Sequence, residues 1–134
     1  MYENIVVALG LGHGHGSTSF DLARRLKSPG GKITAVHVLE PVPGFVKYYI
    51  PVDHADAAEK AAKEQMSKRI GDANDVELVT LSGNPGIALI EFAEASKADC
   101  IIVGSHKPEL SDYLLGSTAA RVVRHAPCSV HVLR

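Results

Sequence analysis

The sequence predicts an α/β domain built on one open, twisted parallel sheet with helices on both faces. Three observations carry that prediction. Short apolar, β-branched runs recur along the chain, as buried strands require. Segments long enough for helices, with apolar residues at helical spacing, separate them. The resulting order, β-α-β-α-β-α-β-α-β, is that of right-handed crossovers rather than hairpins.

The first run, Asn4-Ile5-Val6-Val7-Ala8-Leu9, is closed by Gly10 and reads as a strand buried on both faces. A helix is expected to start near Ser17 or Thr18, where Thr18 and Asp21 resemble a weak capping box, and to carry Phe20, Leu22, Ala23 and Leu26. Ser28-Pro29-Gly30-Gly31 should stop it before a second strand over residues 33–39. A long irregular segment, residues 40–53, holds Pro41, Pro43 and Pro51 with Phe45, Tyr48, Tyr49 and Ile50, a composition too apolar for a solvated linker. The second helix covers residues 55–70, with Ala58, Ala62, Met66 and Ile70 on one face. After a strand over residues 76–81, Asn84 caps a third helix and Pro85 takes its first position. Ile87, Ile90 and Ala93 follow before Lys97-Ala98-Asp99 ends it. Residues 100–103 form the fourth strand. A helix over residues 117–125 is halted by Pro127, and residues 129–133 complete the sheet.

With 134 residues, 46% hydrophobic and 22% charged, the chain is expected to form one domain over residues 1–134. Fourteen Lys and Arg against fifteen Asp and Glu leave a net charge of -1, which provides no field for a nucleic-acid backbone. No apolar run reaches the roughly 20 residues that span a bilayer. Met1-Tyr2-Glu3-Asn4 lacks the basic start of a signal peptide, so a cytoplasmic location is expected. Cys100 and Cys128 lie beside apolar strand residues and are read as small buried hydrophobes, with no disulfide and no metal cluster.

In open α/β sheets ligands sit beyond the carboxyl ends of the strands, where strand order reverses. Two glycine-rich stretches follow strands here: Gly10-Leu11-Gly12-His13-Gly14-His15-Gly16-Ser17-Thr18, and Gly104-Ser105-His106-Lys107-Pro108 leading to Gly116-Ser117-Thr118. Glycine lets backbone N–H groups approach an anion, and a helix start adds unsatisfied donors and the positive end of its dipole. Gly116-Ser117-Thr118 combines all of these with two hydroxyls and is the better phosphate site; a capped helix that binds nothing is the bland alternative. A dinucleotide fingerprint starting at Gly10 would need glycine where His15 stands, and no Walker motif exists. Lys107 is placed to meet a phosphate, and Tyr48 or Tyr49 to cover a base, although solvation and packing are as common for such residues. His13, His15 and His106 lack an acidic or cysteine ligand nearby, so no metal site is expected. Gly104-Ser105-His106 is not a nucleophile elbow and no carboxylate pair stands out, so no catalytic residue is assigned.

Several stretches together resemble the universal stress protein family, and the resemblance covers nearly the whole chain. They are Tyr2-Glu3-Asn4-Ile5-Val6-Val7-Ala8-Leu9, Val36-His37-Val38, Gly83-Asn84-Pro85 and Ile101-Ile102-Val103-Gly104-Ser105-His106. The tail is the most specific: Tyr113-Leu114-Leu115-Gly116-Ser117-Thr118-Ala119-Ala120, then Val122-Val123-Arg124-His125-Ala126-Pro127-Cys128-Ser129-Val130. The resemblance implies strand order 3-2-1-4-5, with the first and fourth strands adjacent at the switch point. It implies ATP or AMP there, the triphosphate with Mg, held through a G-x-x-G-x9-G-[ST] motif. By position, Ala8, Leu9, Gly10, Val38, Val103, Gly104, His106, Lys107, Gly116, Ser117 and Thr118 would line that site, the Val38 main chain at the adenine edge. Gly10 stands where the family often has aspartate, Lys107 replaces the second glycine of the motif, and the stretch from Gly104 to Gly116 is one residue short. The implied role is an adenine-nucleotide-binding sensor or regulatory module in stress response, homodimeric through the C-terminal strand. A dimeric scaffold without nucleotide and a slow ATPase are the competing readings.

Overall fold

The computed structural model describes residues 1–10, 16–40, 54–71, 74–105 and 115–134. Its elements are β1 (Tyr2–Ala8), α1 (Gly16–Leu26), β2 (Lys27–Leu39), α2 (His54–Ile70) and β3 (Val76–Ser82). They continue with α3 (Pro85–Ala95), β4 (Cys100–Gly104), α4 (Ser117–His125) and β5 (Ser129–Leu133). The five strands form one parallel sheet in the order β3-β2-β1-β4-β5, as the sequence and the resemblance led us to expect.

The central strand explains why its sequence is uninterruptedly apolar. Successive side chains of a strand point to opposite faces, and here both faces are covered. Ile5 and Val7 pack with Ile33, Ala35, Cys100 and Ile102 beneath Phe20 and Ala23 of α1 and Met66 of α2. Val6 packs on the other face with Val36, Ile101 and Val103, beneath Leu89 and Ala93 of α3 and Ala119 and Val122 of α4. Ile5, Val6 and Val7 are all 0% exposed. Cys100 belongs to the first of these cores and Cys128 packs against the second, and both are free thiols. Burial pushes the Cys100 thiol up to about 11, so it remains protonated and acts as a small hydrophobe.

Three local expectations need correction. Asn84 caps α3 with Pro85 at its first position, as expected, but the buried face is Gly86, Leu89 and Ala93, and Ile87 is 42% exposed. At about 100° per residue, a face centred on positions 86, 89 and 93 cannot include 87. Helix α1 begins at Gly16, which leaves Thr18 and Asp21 inside the helix rather than forming its cap. Ser28-Pro29-Gly30-Gly31 ends α1 but belongs to β2, whose Lys27 already pairs with Tyr2 across a register shift. Glycine makes this possible: Gly30 has φ +80°, and a Cβ on Gly31 would lie 2.9 Å from the Ser28 carbonyl oxygen and 3.0 Å from that of Tyr2.

A polar lock holds the amino ends of the two central strands. The Asp99 carboxylate accepts hydrogen bonds from the Glu3 N–H at 2.8 Å and the Asn4 N–H at 2.9 Å. Asn4 returns the contact by donating its side-chain amide to the Ser96 carbonyl at 2.7 Å, and the Asp99 N–H donates to the Asn4 carbonyl at 3.0 Å. These bonds fix where β4 begins beside β1. Register at the carboxyl end, about 20 Å away, depends on that start.

Candidate ligand site at the carboxyl edge of the sheet

From β1 the chain crosses through α1 to β2, and from β4 it crosses through α4 to β5, on the opposite side. The last paired residues of β1 and β4 are Val7 and Ile102, and beyond them the two strands part. Ala8, Leu9 and Gly10 lie on one side of this crevice, with Val103, Gly104 and Gly116-Ser117-Thr118 on the other; Val38 is the last residue but one of the neighbouring strand β2. The structure thus gathers nine of the eleven expected site residues at one edge. His106 and Lys107 lie outside the described residues, as do Tyr48, Tyr49, His13 and His15.

Gly116 is the N-cap of α4, with φ -58° and ψ 154°, and among the described residues no side chain makes a capping hydrogen bond to the helix. Helix α3 shows the usual arrangement, in which the Asn84 side chain accepts from the Ile87 N–H at 3.1 Å. An uncapped first turn leaves backbone donors and the positive dipole end facing outward, which favours an anion. The turn is held in place: the Gly116 N–H donates to the Ser105 carbonyl at 2.7 Å, and the Ser105 N–H to the Leu133 carbonyl at 2.7 Å. Ser117 is exposed and Thr118 half-buried. Arg124 and His125 in the last turn complement the negative end of the dipole. Between the helix start and β1, Gly104 is exposed, and a Cβ placed on it would meet nothing within 4 Å among the described residues.

Two residues that the sequence did not single out shape the opposite wall. The His37 ring lies with Nδ1 2.8 Å from the Leu9 carbonyl oxygen, which requires the proton on that nitrogen. Arg69 of α2 donates from its guanidinium to the Gly10 carbonyl at 2.7 Å. A polar residue inside the Val36-His37-Val38 run was a usable signal for His37. Arg69 carried none, because it lies among other charged residues of α2 and meets Gly10 only through tertiary packing.

A sheet of five parallel strands in the order β3-β2-β1-β4-β5, with helices on both faces, defines the molecule as a small doubly wound α/β protein. The universal stress protein family matches residues 1–134, and the chain belongs to that family. A universal stress protein of Thermus aquaticus is 29% identical over 140 residues, covering 100% of both chains. Another, from Methanothermobacter thermautotrophicus, is 36% identical over 56 residues, 42% of this chain and 38% of that protein. Among solved structures, the universal stress protein UspA from Lactobacillus plantarum has a TM-score of 0.77 at 23% identity, covering 99% of this chain and 98% of that one. The universal stress protein from Archaeoglobus fulgidus, solved in complex with dAMP, has a TM-score of 0.66 at 21% identity, over 99% and 98% of the two chains.

Proposed function

We propose that this universal stress protein binds an adenine nucleotide in the crevice between β1 and β4 and acts as a regulatory or sensor module in a cytoplasmic stress response. The observation that carries the reading is the uncapped start of α4 beside the open Gly104, at the point where strand order reverses. Phosphates would take the N–H groups and hydroxyls of Gly116-Ser117-Thr118, and the base would lie toward the Val38 main chain. A relative with the same fold has been solved with dAMP, which supports an AMP-type ligand of this size. ATP, with Mg, uses the same phosphate donors.

Thermal unfolding with and without nucleotide tests the reading directly. AMP or Mg-ATP at a hundred times its dissociation constant should stabilise the protein by about 2.7 kcal/mol, a midpoint shift of about ten degrees for a domain of this size. GTP should give a clearly smaller shift. An absence of any shift at millimolar adenine nucleotide would overturn the proposal and leave a scaffold role as its replacement.

The same reading makes the protein a homodimer through β5, which forms one edge of the sheet. Ser129 and His131 are exposed along it while Val130 and Val132 are half-buried, an alternation that suits pairing about a two-fold axis. Val132→Lys is expected to convert a dimer to a monomer in sedimentation velocity with the circular dichroism unchanged. A dimer that survives this substitution places the interface elsewhere.

A further inference from the structure

The edge strand β5 has five residues, Ser129–Leu133, with His131 at its centre. Its pairing with β4 fixes which of its groups point outward. The Ser105 N–H donates to the Leu133 carbonyl, so the backbone groups of Leu133 are turned toward β4. This direction alternates from residue to residue in a ladder. His131 and Ser129 are therefore turned the same way as Leu133, and Val130 and Val132 direct their N–H and C=O groups to the open edge. Side chains alternate between the two faces of the sheet. Ile102, the register partner of His131, lies in the core beneath α1 and α2, whereas Val130 packs against the core beneath α3 and α4. His131 thus stands on the α1 and α2 face, where it is exposed.

A two-fold axis that pairs β5 with an antiparallel copy of itself has few places to lie, because opposed residues must both point their backbone groups across the join or both away from it. Centred on His131, the axis pairs the whole strand, and Val130 exchanges hydrogen bonds with the partner's Val132. Centred on Val130 or Val132, it leaves part of each strand over. The first register sets His131 opposite the partner's His131 as a non-hydrogen-bonded pair, the closer kind, with Cα atoms about 4.5 Å apart and both rings on one face. We propose that these two imidazoles form a binding site for a divalent transition-metal ion of the zinc class, which bridges the protomers on the axis. Zinc binds imidazole nitrogen at about 2.0–2.1 Å, which places two ligands about 3.3 Å apart at a tetrahedral centre. Rings rooted on Cβ atoms about 5 Å apart reach that spacing by side-chain rotation alone. Ser129 and Leu133 flank the pair on the same face, and neither carries a charge that would repel a cation. Water completes the coordination. Among the described residues of one chain no three metal-ligating side chains come together, and His131 supplies a single ligand, so the site is incomplete without the second copy. The inference rests on the β5 dimer proposed above and gives that dimer a ligand.

Isothermal titration of the tag-free full chain with zinc chloride at neutral pH tests it, on the parent protein, on His131→Gln and on Val132→Lys. The parent should take up one zinc ion per two chains in a component that both variants lose. In sedimentation velocity, zinc at a hundred times its dissociation constant should tighten the dimer about a hundredfold, and EDTA should reverse the change. In parent protein labelled with 15N at histidine, the ring nitrogens of His131 should shift on adding zinc, a readout that needs no variant to fold. Zinc uptake that is unchanged in a folded His131→Gln protein overturns the site, as does uptake retained in full by monomeric Val132→Lys. A β5 dimer that takes up no zinc overturns the site and leaves the dimer reading standing. A parent that is monomeric with and without zinc, or a dimer that survives Val132→Lys, removes the β5 reading and this inference with it.

Discussion

Replacing Gly104 by valine is expected to abolish adenine-nucleotide binding while leaving the unfolding midpoint within about a degree of the parent. The two halves of this result have separate causes. The backbone of Gly104 is outside the left-handed region, and a Cβ there meets nothing within 4 Å among the described residues, so the substitution introduces no backbone strain and no clash at its Cβ with them. Valine also suits the end of a strand better than glycine does. The space it takes is the opening between the α4 helix start and the end of β1, which the ligand needs. The dissociation constant for AMP should rise by at least about a hundredfold, a loss of about 2.7 kcal/mol. Calorimetry and thermal unfolding on the same preparation check both halves. Parent-like affinity in the folded variant would move the site away from the switch point.

Asp99→Ala should have the largest effect on stability among substitutions outside the apolar core. The carboxylate accepts from two successive backbone N–H groups of β1, at 2.8 and 2.9 Å. Hydrogen bonds to a charged acceptor contribute about 1.5–3 kcal/mol each in favourable settings, and less where solvent reaches them. Glu3 is exposed and Asn4 part-buried, so we expect a combined loss of about 2–3 kcal/mol and a midpoint lowered by about ten degrees. Asp99→Asn keeps one neutral acceptor and should lose about half as much. Urea unfolding with an unchanged m-value is the measurement. A loss below about 0.5 kcal/mol would mean that the lock between β1 and β4 is replaced by water at little cost.

The legibility of this fold followed the physics of each signal. Buried strands announce themselves locally, because every side chain of Ile5-Val6-Val7 meets a core, whereas the strand order came from the family resemblance and not from those runs. The Asn84-Pro85 start of α3 was equally local. Its inward face was not: the apolar Ile87 suggested one rotation about the helix axis, and the close approach of Gly86 to Arg121 of α4 requires another. The glycines after α1 looked like a stop and proved also to be a strand entry, since pairing with Tyr2 is a non-local contact. At the site, Gly104 and Gly116 could be read from their own chain neighbours. The bonds of His37 to Leu9 and of Arg69 to Gly10 join residues 28 and 59 positions apart, and no local pattern records them.

The placement of the two thiols has a bearing on chemistry in an oxidising environment. Cys100 pairs in register with Ser129, the first residue of β5, so Cys128, just before that strand, is its close neighbour. Their side chains nevertheless leave the sheet on opposite faces, one into each core. A disulfide needs Cβ atoms about 3.8 Å apart and directed at each other, and no rotamer change can supply that through a sheet. At pH 7 a thiol with a pKa of about 11 is thiolate in about one molecule in ten thousand. The sheet itself insulates one sulfur from the other, and the domain keeps a single covalent topology through swings in redox potential that would rewire a protein with its cysteines on one face.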